Sequence, residues 1–256
     1  MKLTVDTFKI VKCKNCGLVY LQNPRRLEND LTTYNNYFQQ SPIKPYEKKS
    51  PNLAMKTLWQ INEQRLQWIR KIKLKGSILD VGSGRGYFLY HASLQGYQVE
   101  GIEISPLAAQ YCEKYYSIRT IVRNIENRIN THRRYDIVTM WHVLEHFTNP
   151  LSVLINLKTL LADNGVLFIE VPNVNSLKFI LSPKNKKWKG GNHPRHHRFF
   201  FSAQSLSNLL FIAGFDNIIK MKTAYHLSHQ HKIQSWIKQG LKLLNLDSFV
   251  NVYASY

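Results

Sequence analysis

The chain has 256 residues, 44% of them hydrophobic, which suits one sizeable globular domain with an appendage and excludes neither enzyme nor binding module. Its formal net charge of +19 points either to a solvated basic surface or to an anionic partner, whether nucleic acid, a phospholipid surface, or a phosphate- or nucleotide-linked substrate. No apolar run reaches the roughly 18 residues that span a bilayer, the N-terminus lacks a signal-peptide pattern, and Cys13, Cys16 and Cys112 make no disulfide framework, so a cytoplasmic protein is expected.

Residues Phe8 to Tyr20 alternate apolar and polar around Cys13-Lys14-Asn15-Cys16-Gly17, so two strand-like runs flank a knuckle. A C-x-x-C followed by glycine is half of a zinc ribbon, and tetrahedral zinc needs two further ligands that no second C-x-x-C supplies. Either the ribbon has decayed or the start is truncated, and no tightly bound zinc is expected. A redox C-x-x-C would want a thioredoxin-like strand–helix context, which is missing here. The polar stretch from Pro24 to Pro51, with Tyr34, Tyr37 and Tyr46, reads as a helical or loop-like cap. Leu58, Ile61, Leu66, Ile69 and Ile72 recur at helical spacing and predict an amphipathic helix that ends before Gly76.

Ile78 to Val81 is a short apolar run and predicts a buried parallel strand. Gly82, Ser83, Gly84 and Gly86 follow at once, and Tyr87 opens a helix that runs to Leu94. Glycine lets a ligand approach the backbone because it has no Cβ. The dinucleotide fingerprint is G-x-G-x-x-G. The spacing here is G-x-G-x-G after Asp80, which is similar to motif I of class I S-adenosylmethionine (SAM) methyltransferases. Tyr97 to Ile104 predicts a second strand, and Pro106 to Tyr116 a helix that Ser105 can cap. Ile118 to Val122 and Tyr135 to Trp141 predict the third and fourth strands. Pro150 to Leu161 predicts a helix, and Gly165 opens a fifth strand, Val166 to Val171. This alternation predicts a doubly wound parallel sheet, with ligands at the carboxyl ends of its strands.

Past Pro172 the pattern gives way to a basic insertion with Lys184, Lys186, Lys187 and Lys189. Ser202 to Ala213 predicts a helix and Ile218 to Met221 a strand; the tail carries His226, His229 and His231 and an amphipathic stretch, Ile233 to Leu246. The division expected is 1–50 as half-ribbon and cap, 51–224 as the ligand-binding domain with a lid at 173–201, and 225–256 as an amphipathic tail.

Three further signals follow the glycines in order. Glu103 ends the second strand about twenty residues on, where an acid can accept hydrogen bonds from ribose hydroxyls. Asn124 and Ile125 follow the third strand, where an adenine edge and face could be held. Trp141-His142-Val143-Leu144-Glu145-His146 closes the fourth. The segments ILDVGSGRGYF, VEGIEIS, YDIVTMWHVLEHFTNP, LLADNGVLFIEVPN and HHRFFF together resemble bacterial class I SAM methyltransferases of the ubiquinone-biosynthesis-like group (methyltransferase type 11/23), over roughly Leu74 to Phe215. KCKNCGLVYLQNPR resembles the second knuckle of an N-terminal zinc ribbon in some bacterial methyltransferases. The resemblance implies a mostly parallel seven-stranded Rossmann-like sheet with a small N-terminal appendage, and SAM as cofactor. It implies cofactor contacts from Asp80, Gly82, Ser83, Gly84, Gly86, Glu103, Ile104, Asn124, Ile125 and His142.

Methyl transfer from a sulfonium is an in-line displacement, so orientation does much of the work, and a base helps a hydroxyl or protonated amine. His142, His146 and His196 are the candidate bases, with His193 and His197 beside them; each could equally be a hydrogen-bonded positioning group. Glu145 could anchor its loop. No metal ligands are assigned, although His142, Glu145 and His146 with a histidine of the insertion form an alternative, metal-assisted set. Arg198-Phe199-Phe200-Phe201 is expected to keep water from the transfer site. No N-P-P-Y or D-P-P-Y follows the fourth strand and no cysteine lies near it, which disfavours base-modifying nucleic-acid enzymes. The favoured acceptor is a small molecule, a glycan or a lipid-linked group methylated on oxygen or nitrogen, an anionic one suiting the charge and bringing contact with an acidic membrane surface. The competing class is a non-catalytic module that holds a nucleotide or RNA, or an RNA methyltransferase.

Overall fold

The computed structural model of the protein describes residues 2–5, 8–24, 27–40, 46–127, 131–176, 179–180, 194, 197–221 and 249–256. They form two compact units, one of residues Met1–Arg25, Trp141–Lys158 and Ile169–Tyr256, the other of Arg26–Met140 and Thr159–Phe168.

The second of these units opens with helices α1 (Leu27–Gln40) and α2 (Leu53–Arg70). Asn52 starts α2 because its side-chain oxygen accepts from the amides of Ala54 and Met55, at 3.1 and 3.3 Å. The helix buries Leu66 and Ile69 of the apolar stripe seen in the sequence, with Trp68 beside them, whereas Ile72 of that stripe lies past the helix end and is exposed. Strand β4 (Ser77–Val81) is buried along Ile78–Val81, as its unbroken apolar run requires. Then come α3 (Tyr87–Ser93), β5 (Gln98–Glu103), α4 (Pro106–Tyr116), β6 (Thr120–Val122) and β7 (Tyr135–Trp141). Strands β4 and β5, β4 and β7, and β5 and β6 pair in parallel, with Asp80 opposite both Gly101 and Thr139. Gly101 is where β5 passes under the glycine turn: a Cβ there would lie 2.6 Å from Ser83 Oγ and 3.0 Å from Leu89 Cδ1.

In the other unit, β1 (Lys2–Val5), β2 (Phe8–Lys12) and β3 (Val19–Leu21) form antiparallel pairs. Cys13 to Gly17 make the turn between β2 and β3, closed by the Gly17 amide on the Cys13 carbonyl at 3.1 Å. This unit also holds a 3-10 turn at Leu144–His146, helix α5 (Pro150–Lys158), strand β9 (Phe199–Phe200), helix α6 (Ala203–Ile212) and strands β10 (Asn217–Met221) and β11 (Phe249–Ser255). Strand β8 (Leu161–Pro172) contributes residues to both units. One sheet runs β1-β2-β3-β9, and the central seven-stranded sheet runs β10-β11-β8-β7-β4-β5-β6. No helix among the described residues is long and apolar enough to cross a membrane.

The mostly parallel α/β architecture agrees with the sequence reading, and four local readings differ. Ser105 does not cap α4; its hydroxyl instead donates to Asn35 Oδ1 of α1 at 2.9 Å. Strand β8 starts at Leu161, ahead of Gly165, and passes through Asn164 in the left-handed conformation (φ 60°). The first strands share a sheet with the end of the insertion, since β3 pairs antiparallel with β9 through Val19–Phe200 and Tyr20–Phe199. Residues Phe249–Ser255, read as the end of a tail, form a strand paired antiparallel with β10. The predicted amphipathic stretch 233–246, His226, His229 and His231, and the lysines at 184, 186, 187 and 189 lie outside the described residues.

Candidate active site

The turn after β4 is built by its own backbone. The amides of Gly82 and Ser83 donate to the Ile102 carbonyl at 2.7 and 3.2 Å, and the Gly86 amide donates to the Ser83 carbonyl at 2.9 Å. Gly82, Gly84 and Gly86 all have positive φ, at 71°, 55° and 76°. At Gly84 an added Cβ would meet nothing nearer than Phe38 Cζ at 3.7 Å, so its face is an open cradle. Glu103 clasps this turn: Oε2 accepts from the Gly84 amide at 2.8 Å and Oε1 from the Ser105 amide at 2.9 Å. Burial pushes the Glu103 carboxyl above the usual carboxylate range, against the pull of the Ser105, Gly84 and Ile104 amides.

Asp80 is buried one residue before the strand end, and its Oδ1 accepts from the Thr139 hydroxyl at 2.6 Å. Burial pushes it up to about 7, opposed by the Thr139 hydrogen bond and Arg65 and reinforced by the charge of Glu103. Ser83 is buried, and its Oγ has no hydrogen-bond partner among the described residues. Asn124 forms a turn, its side-chain oxygen accepting from the Glu126 amide at 2.9 Å; Ile125 is buried and Ile104 half-buried.

Sequence reasoning missed what α1 brings to this turn. Arg85 Nη2 donates to the Phe38 carbonyl at 2.9 Å, and its guanidinium lies 5.7 Å from the Phe38 ring centroid and 5.2 Å from that of Tyr111. Asn35 reaches Ser105, two residues past Glu103. The only signal in the sequence was an arginine at a variable position of the glycine motif.

In the other unit, His142 follows β7 with φ 59°, a left-handed conformation that a non-glycine residue takes at a cost. Its amide donates to the Glu170 carbonyl at 2.8 Å. Its ring is held between two buried acids: Nε2 lies 2.9 Å from Glu170 Oε1 and Nδ1 lies 3.8 Å from Glu145 Oε1. The Phe249 ring packs edge-on against it at 4.8 Å. Glu145 is 1% exposed, and neither carboxylate oxygen has a hydrogen-bond partner among the described residues. Burial raises its pKa, opposed by the charges of His146 and His142. The rings of His146 and His197 meet edge-to-face at 4.9 Å. Two backbone bonds seat this group: Arg198 N to the Glu145 carbonyl and Leu21 N to the Arg198 carbonyl, both at 2.8 Å.

The structure thus gathers His142, His146 and His197 with Glu145 and Glu170, while His193 and His196 lie outside the described residues. Glu170 was not anticipated, because it sits inside an apolar strand and reads there as an isolated exception. The aromatic run has another use than the one expected. Phe200 packs with Phe8, Ile10, Val19, Leu21 and Phe179, and Phe201 is fully buried. Their side chains form core because strand pairing turns them inward.

A methyltransferase-domain family model matches residues 55–219. A ubiquinone biosynthesis O-methyltransferase of Actinobacillus pleuropneumoniae is 29% identical over 157 residues, which are 54% of this chain and 67% of that protein. Other proteins of that description, from Leptothrix cholodnii and Coxiella burnetii, are matched over 60% and 57% of their own length. The chain therefore spans about three-fifths to two-thirds of these curated relatives. Among solved structures, the plantazolicin methyltransferase BpumL in complex with S-adenosylhomocysteine (SAH) is similar with a TM-score of 0.57 at 16% identity, covering 89% of this chain and 90% of that one. A SAM-dependent methyltransferase of Thermotoga maritima, described as a possible histamine N-methyltransferase, has a TM-score of 0.56 at 16% identity over 90% and 96%. At such identities the likeness is one of fold.

Proposed function

This chain belongs to the methyltransferase-domain family, and we propose that it methylates an oxygen or nitrogen of a small-molecule, glycan or lipid-linked acceptor. It is a class I SAM-dependent enzyme and SAM is its cofactor. The observation that carries the reading is the glycine turn clasped by Glu103, open at the Gly84 face beside a buried carboxylate. Those groups fit a cationic ligand with a ribose: the Gly84 face admits it closely, Glu103 accepts from hydroxyls, and Asp80 adds a second acid. We assign Gly82, Ser83, Gly84, Gly86, Glu103, Ile104, Asn124 and Ile125 to holding it, with Asp80 setting the end of β4 through Thr139. When bound, SAM supplies a methyl on a sulfonium that leaves as a neutral thioether once an acceptor lone pair displaces it.

The chain's own part is to orient and to move one proton. Glu170 keeps a proton on His142 Nε2, as a carboxylate does for a catalytic imidazole, and so leaves Nδ1 as the basic nitrogen. Nδ1 takes the proton the acceptor loses, and Glu145 at 3.8 Å stabilises the imidazolium formed. His146 and His196 remain the other histidines of this reading. The net charge of +19 supports an acceptor with phosphate or carboxylate, including a lipid-linked one at an acidic membrane surface, and the three free cysteines suit a reducing cytoplasm.

The test is transfer from labelled SAM into lysate fractionated into glycan, lipid, RNA and small-molecule pools. Label is expected in a non-nucleic-acid pool; label confined to RNA overturns the acceptor assignment. His142→Ala should leave SAM binding intact and lower turnover by roughly 10²–10⁴. A wild-type rate in that variant would remove His142 from the proton path.

A further inference from the structure

We propose that Glu145, His146 and His197 form a divalent-cation site. One ligand atom from each lies within 4.8 Å of the other two, a spacing that small side-chain rotations close onto a single ion. Two of the ligands are neighbours on the 3-10 turn Leu144–His146, and the third comes from the segment that enters β9. The Arg198–Glu145 backbone bond locks those two segments together one residue from His197, so the convergence is held by the main chain.

The independent sign of a ligand is Glu145 itself. A carboxylate withdrawn from water with neither oxygen hydrogen-bonded is costly, and a cation is the partner that would offset the cost. His142, with Nδ1 at 3.8 Å from Glu145 Oε1, stands outside this set. Two imidazoles and one carboxylate suit Zn²⁺, Co²⁺, Mn²⁺ or Fe²⁺ better than Ca²⁺ or Mg²⁺, which prefer all-oxygen sites. Three protein ligands also leave positions open. If the methyl-transfer reading holds, on which this role alone rests, an open position takes the acceptor oxygen and favours its deprotonated form.

Cobalt(II) is the probe, used on the full chain with Cys13→Ser and Cys16→Ser so that the knuckle cannot compete. Calorimetry and visible absorption should give one Co²⁺ per chain. His146→Ala and His197→Ala should each weaken binding at least tenfold, and the double variant should abolish it. SAM binding by calorimetry, expected unchanged, reports that each variant is folded. X-ray absorption of the Co²⁺-loaded protein with both histidines present should show two imidazole ligands, a result that needs no histidine variant. No Co²⁺ binding, a spectrum without imidazole, or full binding by a folded double variant overturns the site. Failure to bind SAM in the parent chain would instead strike the methyl-transfer reading and leave the metal result standing.

Discussion

Asp80 is a residue whose burial works against the fold. It is 2% exposed, and the native chain pushes its carboxyl up to about 7. The unfolded chain releases that proton near pH 4. Between about pH 4 and 7 the native state therefore binds more protons than the unfolded state, and stability falls as pH rises through that window. The penalty is full above about pH 7 and absent below pH 4. Asp80→Asn keeps an oxygen for the Thr139 hydroxyl, so at pH 8 it should be more stable than wild type, by on the order of a few kcal/mol. That gain should vanish near pH 4; urea midpoints at the two pH values measure it, and coincident midpoints at pH 8 would refute the account. Two glycines of the same turn should part company. At Gly86 (φ 76°) a Cβ would lie 2.1 Å from Cys112 Sγ, so Gly86→Ala should cost about 2 kcal/mol or more of stability. Gly84→Ala has room and should fold, losing only about 1 kcal/mol to its φ of 55°. Gly84→Val should fold less well and bind no SAM, and wild-type affinity there would sink the cradle assignment. Glu103→Ala should weaken SAM binding by roughly 1–3 kcal/mol.

Among the elements, α1 is tied to the glycine turn through Arg85. Arg85→Ala removes a hydrogen bond to the Phe38 carbonyl and contacts with two rings. The loss expected is about 1–2 kcal/mol of SAM affinity, roughly tenfold in Kd, read by calorimetry. An unchanged Kd would show that α1 does not help hold the cofactor. The strands β1 to β3 belong with β9. Phe200 is 3% exposed in the cluster that joins them, so Phe200→Ala should cost about 3–5 kcal/mol. A near-neutral result by thermal unfolding would mean that the N-terminal strands are an independent appendage after all.

At the scale of the whole chain, the order of strands and glycine turns carried the architecture. Strand β4 is buried along Ile78–Val81 and followed by a helix, so it prints a continuous apolar run with a glycine after it, Ile78–Gly82. The strand β11 printed no such mark. Its sequence, Phe249–Ser255, mixes apolar and polar residues, and Asn251 is buried within it at 2% exposure. It is a strand because β10 and β8 flank it in the sheet and pair with its backbone.

The sequence by itself determined the α/β class, the glycine turn, the acid that clasps it and the segment that carries His142 and Glu145, because these rest on local chain geometry and on fixed spacings. Only the tertiary structure decided that Glu170 meets His142, that His197 joins Glu145 and His146, that Arg85 binds α1 to the turn while Asn35 binds it to Ser105, and that Phe200 is core. The physical reason is sequence distance. His142 and Glu170 are joined by a backbone bond across neighbouring strands, and His197 is held against Glu145 by one bond from Arg198. Long-range pairing of this kind leaves no period and no motif in the chain. It is set by which strands share an edge, and that is decided by the burial of the whole core.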